Sequence, residues 1–278
     1  MQTPQAHLLP DGRLHLHHGP IDLIAEAFGP GKKPAYNRVF RRFGTILGDL
    51  TRELPALRRD IRHCPTIADP VGRNMAHVAG LYAPEFVTPM AAVAGAVADA
   101  MLTALVAGEG IEKAYVNNGG DVALYLTPGE RFVAAVVAEQ SGAFQVSAES
   151  IVRGVATSGW RGRSHSLGIA DAVTVLAATA AEADVAATMI ANRVDLPGHP
   201  AIGRAPAVAL SPDSDLGDLL VTVEVGALDA AETDAALDAG AVYADTLFDR
   251  GLIVAAALQL NGALRIVGET NHRQSLRS

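Results

Sequence analysis

Apolar and polar positions predict a hairpin and then helices in the first 110 residues of the chain. In residues 6–18 two short runs flank a Pro-Asp-Gly turn and the second alternates, as expected of a β-hairpin. Residues 19–32, rich in Gly, Pro and Lys, give no helix or strand signal. Pro55 is expected to end or break the first helix, and Thr88 is a candidate N-cap. Helical spacing of apolar residues predicts helices over 34–60, 70–84 and 87–110.

After residue 112 the period changes to two, which is typical of strands separated by Gly, Pro or Ser. The predicted strands cover 113–118, 121–126, 131–139, 143–149, 172–178 and 220–225. Helices are predicted over 180–194 and 228–251, the second with a break at Gly240. Asn261-Gly262, between two apolar runs, predicts a last hairpin. With no linker and no repeat, a single α+β domain over residues 1–278 is expected.

Composition narrows the class of protein. The 278 residues are 49% hydrophobic and only 19% charged, which favours a packed globular core over a disordered chain or a coiled coil. The net charge of −8 argues against a nucleic-acid partner and against an anionic membrane surface. One cysteine excludes an intrachain disulfide, and neither a signal peptide nor an uninterrupted apolar span is evident. We therefore expect a soluble, cytoplasmic protein.

The first candidate binding segment is an Asn-Asn-Gly-Gly-Asp run between two predicted strands. Its glycines allow positive φ or a close approach of the backbone to a ligand, and its amide and carboxylate groups offer polar contacts. An ordinary hairpin turn would use the same residue types, so both interpretations stay open. The candidate ligand-binding residues in this segment are Asn118, Gly119, Gly120 and Asp121.

A second candidate segment combines hydroxyl groups, a glycine and a histidine. Arg161 and Arg163 lie beside it and suit an anionic group. The adjacent Ser-His pair lacks a Gly-x-Ser-x-Gly elbow, which argues against a serine hydrolase. The candidate residues here are Thr157, Ser158, Gly159, Ser164 and His165.

The third candidate is a carboxylate and a hydroxyl on one helix. Asp184 and Thr188 are four residues apart, so their oxygens share one helix face and together suit Mg²⁺. The alternative is an aspartate that the helix dipole favours in the first turn, with a threonine that faces the helix.

The order of these segments resembles the ApbE-like superfamily. Residues 89–95 (PMAAVAG) and 170–175 (ADAVTV) are closer to a signal-less branch beside the classical ApbE proteins. The resemblance is good over about residues 85–195 and loose elsewhere. The matching elements are Asn117 to Asp121, Thr157-Ser158-Gly159, Ser164-His165, Val173-Thr174-Val175, and Ala183-Asp184 with Thr188.

The resemblance implies an α+β fold of the ApbE type, related to T-fold proteins, in which helices pack on an antiparallel sheet. It also implies a pocket that binds FAD and Mg²⁺, where FMN is moved onto a threonine of a target protein or FAD is hydrolysed to FMN and AMP. By this resemblance Asp184 and Thr188 hold the metal, and His165 and Asp184 are catalytic. The candidates of the two loop segments contact the flavin nucleotide. The T-fold relation also suggests a homo-oligomer.

The sequence departs from the classical family pattern in two places. Ala94 stands at the position of a family lysine, and Ser166 begins a segment that lacks the family's aspartate-proline-arginine-threonine-glycine run. Three hypotheses therefore stay open. They are a Mg²⁺-dependent enzyme on FAD or a related pyrophosphate, an enzyme on a pterin- or purine-type heterocycle in cofactor biosynthesis, and a non-catalytic protein that binds a flavin or nucleotide.

Overall fold

An antiparallel sheet runs through the described part of the computed structural model, residues 3–136 and 142–268. The strands are β1 (Gln5–Leu8), β2 (Leu14–His18), β3 (Ile21–Phe28), β4 (Lys113–Asn118), β5 (Asp121–Leu126), β6 (Arg131–Val136), β7 (Gly142–Ser147), β8 (Gly154–Ser158), β9 (Ala172–Ala177), β10 (Ile202–Pro206), β11 (Leu220–Val225), β12 (Ala255–Leu260) and β13 (Ala263–Gly268). Nine of these described strands form one sheet in the order β1-β2-β3-β4-β5-β8-β9-β12-β13, and neighbouring strands are antiparallel. β6 with β7 and β10 with β11 form separate two-stranded ribbons.

The described helices are α1 (Lys32–Leu57), α2 (Pro70–Gly80), α3 (Val93–Val106), α4 (Ala180–Ala191), α5 (Ala207–Leu210) and α6 (Ala230–Asp249), with short 3₁₀ turns at Ile61–His63 and Pro89–Ala92. Four of them pack on this sheet. α1 packs on β2 and β3, α3 on β4 and β5, α4 on β8 and β9, and α6 on β12 and β13. A smaller apolar cluster on β5 and β8 takes in Phe132 and Val146 of the β6–β7 ribbon. The predicted α+β class, with an antiparallel sheet and packed helices, is confirmed.

The N-terminal part contains a strand that the sequence analysis did not predict. β3 lies within the Gly- and Pro-flanked residues 19–32, where Ile21, Leu23, Ala25 and Ala27 alternate with more exposed residues and are buried. The alternation was present in the sequence, but the flanking glycines and prolines obscured it. β3 pairs with both β2 and β4, so it joins the predicted hairpin to the rest of the sheet.

Several predicted helix boundaries and breaks were wrong. α1 continues two residues beyond Pro55, because a proline in the last turn removes only one backbone hydrogen bond. α6 runs through Gly240 without a break. A Cβ at this position would lie 2.3 Å from Cγ2 of Val194. This glycine therefore allows close packing of α6 on its neighbours. The predicted strand 131–139 ends at Val136, and residues 137–141 lie outside the described residues.

The segment that leads into α3 also differs from the prediction. Thr88 makes no side-chain cap to a helix, and the four residues after it form a 3₁₀ turn before α3 begins. Pro89–Val106 is the one described helical stretch that is long and apolar enough to cross a membrane by length and composition. Half of that stretch is buried inside the structure, which is also typical of a core helix.

Candidate functional site

A cavity of about 620 Å³ opens where the β4–β5 turn, the end of β8, the start of α3 and the middle of α4 meet. Two loops, residues 159–167 and 211–216, complete its wall. Gly120 is the one predicted site residue that does not line it. The predicted residues that do line it are Asn118, Gly119, Asp121, Thr157, Ser158, Gly159, Ser164, His165, Asp184 and Thr188. The tertiary structure thus brings three separate segments of the sequence to one cavity.

Two carboxylates, Asp121 and Asp184, dominate the electrostatics of this cavity. Asp121 begins β5, is buried, and its Oδ1 accepts a hydrogen bond of 3.3 Å from the backbone N–H of Thr157. Desolvation raises the pKa of Asp121, and the charge of Arg163 opposes that shift. Desolvation also raises the pKa of Asp184, and the nearby charge of Asp121 raises it further. The two carboxyl groups therefore resist being ionised at the same time, and a bound cation would relieve the repulsion between them.

Asp184 is held by the neighbouring helix. Its Oδ2 accepts a hydrogen bond of 2.9 Å from the backbone N–H of Gly95 at the start of α3. A Cβ at Gly95 would lie 2.2 Å from the carbonyl oxygen of Ala180, so only glycine permits this approach of α3 to α4. Close packing of the two helices is what presents Asp184 to the cavity.

The same two helices make a second contact of this type in the opposite direction. Both carboxylate oxygens of Asp99 on α3 accept hydrogen bonds from the first amides of α4, at 3.1 Å from Ala180 and 2.9 Å from Ala181. The side chain of Thr179 then caps the amide of Glu182. Each helix thus supplies a carboxylate to the N-terminus of the other.

The Asn-Asn-Gly-Gly-Asp run is the turn between β4 and β5. Its two glycines have positive φ, 67° at Gly119 and 119° at Gly120, so the turn requires them. Asn118 donates from Nδ2 to the carbonyl of Ala94 at 3.0 Å, which ties the turn to the start of α3. The Gly119 face is covered by Arg163, whose Nη2 lies 1.8 Å from where a Cβ would be. Gly120 has open space around it and is not among the residues that line the cavity.

Hydroxyl groups from β8 and α4 continue the polar wall. Thr157 and Thr174 share a hydrogen bond of 2.8 Å across the β8–β9 pair. Thr188 donates to Ser158 over 3.5 Å, a long contact that leaves both oxygens available to a ligand. Thr188 lies one helical turn after Asp184, as its spacing predicts.

His165 lies in the loop after β8, and its Nε2 is 3.1 Å from Oγ of Ser211. Ser164 beside it is exposed. The contact with Ser211 joins the loop of His165 to the loop 211–216.

Part of the cavity wall was not among the predicted site residues. The acidic loop 211–216 lines it and is tied to the opposite side by a hydrogen bond from Thr88 to Asp215. Arg58, at the end of α1, and residues 86–88 also line it. The signals were the cluster of acids after residue 210 and the run of arginines near residue 58. In both clusters, the sequence does not show which residues face a cavity.

The donor set fits Mg²⁺. No described group of three or more His, Cys, Asp and Glu residues suits a metal ion by itself. Asp121, Asp184 and Thr188 instead offer two carboxylates and a hydroxyl on one cavity wall. Mg²⁺ is commonly bound by one or two carboxylates together with water and substrate phosphates, so a ligand with phosphate oxygens would complete this set.

Comparisons with known proteins identify relatives of this chain. The Methanocella arvoryzae protein named UPF0280 protein is 30% identical over 201 residues, which are 70% of this chain and 78% of the relative. A UPF0280 protein of Methanothrix thermoacetophila is 36% identical over 132 residues, 46% of this chain. The chain spans about half the length of that relative, 53%.

A solved structure, the apo form of the Pseudomonas stutzeri flavinyl transferase ApbE, matches with a TM-score of 0.44 and 12% identity over 95% of this chain and 93% of that one. At this level of similarity the match carries no argument about function. The sequence model of the family described as AbpE bacteria, in contrast, matches residues 6–266, nearly the whole chain. The resemblance drawn from the ordered motifs is thereby confirmed. The chain belongs to the AbpE bacteria family and is a relative of the archaeal UPF0280 proteins.

Proposed function

We propose that this protein is a Mg²⁺-dependent enzyme that acts on FAD or a related pyrophosphate, by FMN transfer or by FAD hydrolysis. One observation carries the proposal: the Asp121 and Asp184 carboxylates lie with the Thr188 hydroxyl on the wall of a cavity large enough for a nucleotide. Membership of the family supports the general class of the protein.

Asp121, Asp184 and Thr188 would hold the metal ion. When bound, Mg²⁺ would neutralise charge on the pyrophosphate and polarise the phosphoryl oxygens. Asp184 is already fixed by the amide of Gly95, so its carboxylate needs little reorganisation when a ligand enters.

His165 is the proposed acid–base residue. In hydrolysis, the oxygen of a water molecule bonds to one phosphorus while the bridging P–O bond breaks, and FMN and AMP are released. In transfer, an acceptor hydroxyl takes the place of water and AMP leaves. In both cases His165 would accept the proton of the attacking O–H, and Ser211 would hold its ring through the 3.1 Å contact.

One feature favours a second candidate function. Ala94, at the position of the family lysine, lines the cavity, so the ligand there meets a methyl group in place of an ammonium group. A changed ligand, such as a pterin- or purine-type heterocycle in cofactor biosynthesis, would account for this loss.

The test is incubation of the protein with FAD, with and without Mg²⁺, with FMN and AMP separated by chromatography. We expect Mg²⁺-dependent release of both products, abolished in Asp184→Asn and strongly reduced in Thr188→Val. Asp99→Asn is the matched control, because Asp99 also accepts amides across the α3–α4 contact but does not line the cavity. A thermal melt verifies that each variant is folded.

Flavin binding without turnover would contradict hydrolysis and favour a non-catalytic flavin-binding protein. If the protein neither binds flavin nor turns it over, the flavin proposal is refuted. The second candidate then predicts stabilisation by a pterin or a purine, measured in the same melts.

A further inference from the structure

Two arginine side chains line the cavity, Arg58 and Arg163. Most other arginines near the site are paired. Arg161 binds Asp171 at 2.7 Å and stacks on Trp160, and Arg204 binds Asp195. In the described residues, in contrast, neither Arg58 nor Arg163 has a side-chain hydrogen bond or an ion pair. Two guanidinium groups are thus available to a ligand.

The side chain of Arg163 lies against the turn between β4 and β5. Its guanidinium lies against Gly119, where an added Cβ would be 1.8 Å from Nη2. Its charge also reaches Asp121, whose pKa it lowers against the larger effect of desolvation. The Arg163 guanidinium thus lies over Gly119 at the cavity wall, near the Asp121 carboxyl group.

Arg58 belongs to a different part of the wall. It follows the last residue of α1, and the segment after it is anchored by a hydrogen bond of 2.8 Å from Ile61 N–H to the carbonyl of Val87. Arg58 therefore lies with residues 86–88, which also line the cavity. The two cations come from two different segments of the wall.

Four acidic residues also line the cavity, Asp121, Asp184, Asp213 and Asp215. Those that are ionised repel a phosphate ligand, and local cations would offset that repulsion. Guanidinium groups bind phosphate through paired, charge-assisted hydrogen bonds and stay protonated when partly desolvated. The two arginines are the positive counterpart of the carboxylates.

We propose that Arg163 and Arg58 form a two-point anion site for a pyrophosphate. Arg163 contacts the phosphate on the side of Asp121, and Arg58 contacts the phosphate on the side of residues 86–88. A ligand with one phosphate reaches Arg163 alone. The identification of the ligand as a flavin nucleotide rests on the proposed function, but the anion site does not.

The experiment measures dissociation constants by calorimetry for inorganic pyrophosphate, FAD, FMN and riboflavin, with EDTA and again with Mg²⁺. Arg163→Gln should weaken pyrophosphate, FAD and FMN by roughly 10- to 100-fold, the range for loss of a hydrogen bond to a charged group. Arg58→Gln should weaken pyrophosphate and FAD by a similar factor and leave FMN nearly unchanged. Riboflavin, which has no phosphate, should bind all proteins equally.

The matched controls are Arg161→Gln and Arg59→Gln, adjacent arginines that do not line the cavity. They should bind all four compounds as the unchanged protein does. Arg163→Lys should retain part of the affinity, because a lysine keeps the charge but not the paired hydrogen bonds.

The outcomes separate this inference from the proposed function. Pyrophosphate affinity that is the same in Arg163→Gln and the unchanged protein, or no pyrophosphate binding at all, would overturn the inference. An equal loss of FMN and FAD in Arg58→Gln would overturn its two-point form. Arginine-dependent binding of pyrophosphate with no binding of any flavin would support the anion site and refute the flavin proposal.

Discussion

Asp99 and Asp184 occupy the two ends of one helix–helix contact. A comparison of them distinguishes a carboxylate that stabilises the fold from one that belongs to the candidate site. Both are carboxylates that accept backbone N–H groups from the opposite helix. Asp99 uses both oxygens on the amides of α4 and lies outside the cavity lining. Asp184 lines the cavity and lies near the charge of Asp121.

The difference shows how one type of interaction serves two purposes. The bonds of Asp99 complete the amides of a helix N-terminus, which otherwise lack partners. Those of Asp184 hold a carboxylate beside another carboxylate, an arrangement that costs stability unless a cation or proton offsets it. We infer that the hydrogen bonds of Asp99 stabilise the contact between α3 and α4. This stable contact then holds the Asp184 carboxylate beside Asp121.

The largest expected effect comes from inserting a side chain at Gly95, where α3 and α4 are in close contact. Gly95→Ala places a Cβ 2.2 Å from the backbone oxygen of Ala180, which only movement of α3 away from α4 relieves. We expect a loss of about 3 kcal/mol or more in the free energy of unfolding, measured with denaturant. Gly44→Ala is the control, because the nearest atom to its Cβ is 3.9 Å away and alanine favours the helix. Equal stability of Gly95→Ala and the unchanged protein would contradict the close packing.

Removal of the Asp99 carboxylate should have the next largest effect. Asp99→Ala leaves the amides of Ala180 and Ala181 without their acceptor, with an expected loss of about 2 kcal/mol in denaturant unfolding. A loss below about 0.5 kcal/mol would mean that water replaces the carboxylate without cost.

Metal binding should stabilise the Asp184 end. At a Mg²⁺ concentration ten times the dissociation constant, the unchanged protein should gain about 1.4 kcal/mol, seen as a higher melting temperature. Asp184→Asn should show no such gain, whereas Asp99→Asn should show it in full. A Mg²⁺ response that survives in Asp184→Asn would place the metal elsewhere.

The Asp99 end should respond to pH. Desolvation raises the pKa of Asp99 from 3.8 to about 6 in the folded protein. The folded state therefore binds more protons than the unfolded state between these values, and stability falls as pH rises through this range. Between pH 5 and pH 7 the unchanged protein should lose about 1 kcal/mol relative to Asp99→Asn, which has no proton to release. A constant difference between the two proteins across this range would show that the carboxylate stays ionised.

The smallest effect on stability is expected at Asp184. Asp184→Asn keeps an oxygen that can accept from the Gly95 amide, though more weakly than a carboxylate, and it removes the repulsion from Asp121, so the two changes oppose each other. We expect a change below about 1 kcal/mol, smaller than that of Asp99→Ala, in the same denaturant experiment. A larger loss than in Asp99→Ala would reverse the roles assigned to the two ends.

The sequence predicted the fold best where the local signal was strong. The alternation in 113–126, the Asn-Gly hairpin at 261–262 and the amphipathic pattern of α1 all correspond to observed elements. It failed at β3, whose flanking glycines and prolines obscured a clear alternation. It also failed at Gly240, because a glycine that permits packing looks the same in sequence as one that ends a helix.

The sequence predicted most residues of the candidate site but not how they are arranged in space. The motifs named Asp121, Asp184 and Thr188, but nothing local shows that β5 and α4 place the two carboxylates within reach of each other's charge. Arg58 is one arginine among several near the end of α1, and its place on the cavity wall depends on the contact with Val87.

The sequence by itself determined the class of fold, the family and most residues of the candidate site, because local periodicity and ordered motifs are properties of short segments. The tertiary structure alone decided that the Arg163 guanidinium lies against Gly119 and that Asp184 and Asp99 are held by opposite helices. It also decided which arginines face the cavity. These features join residues that are tens of positions apart, and only close packing of the folded chain brings such groups together.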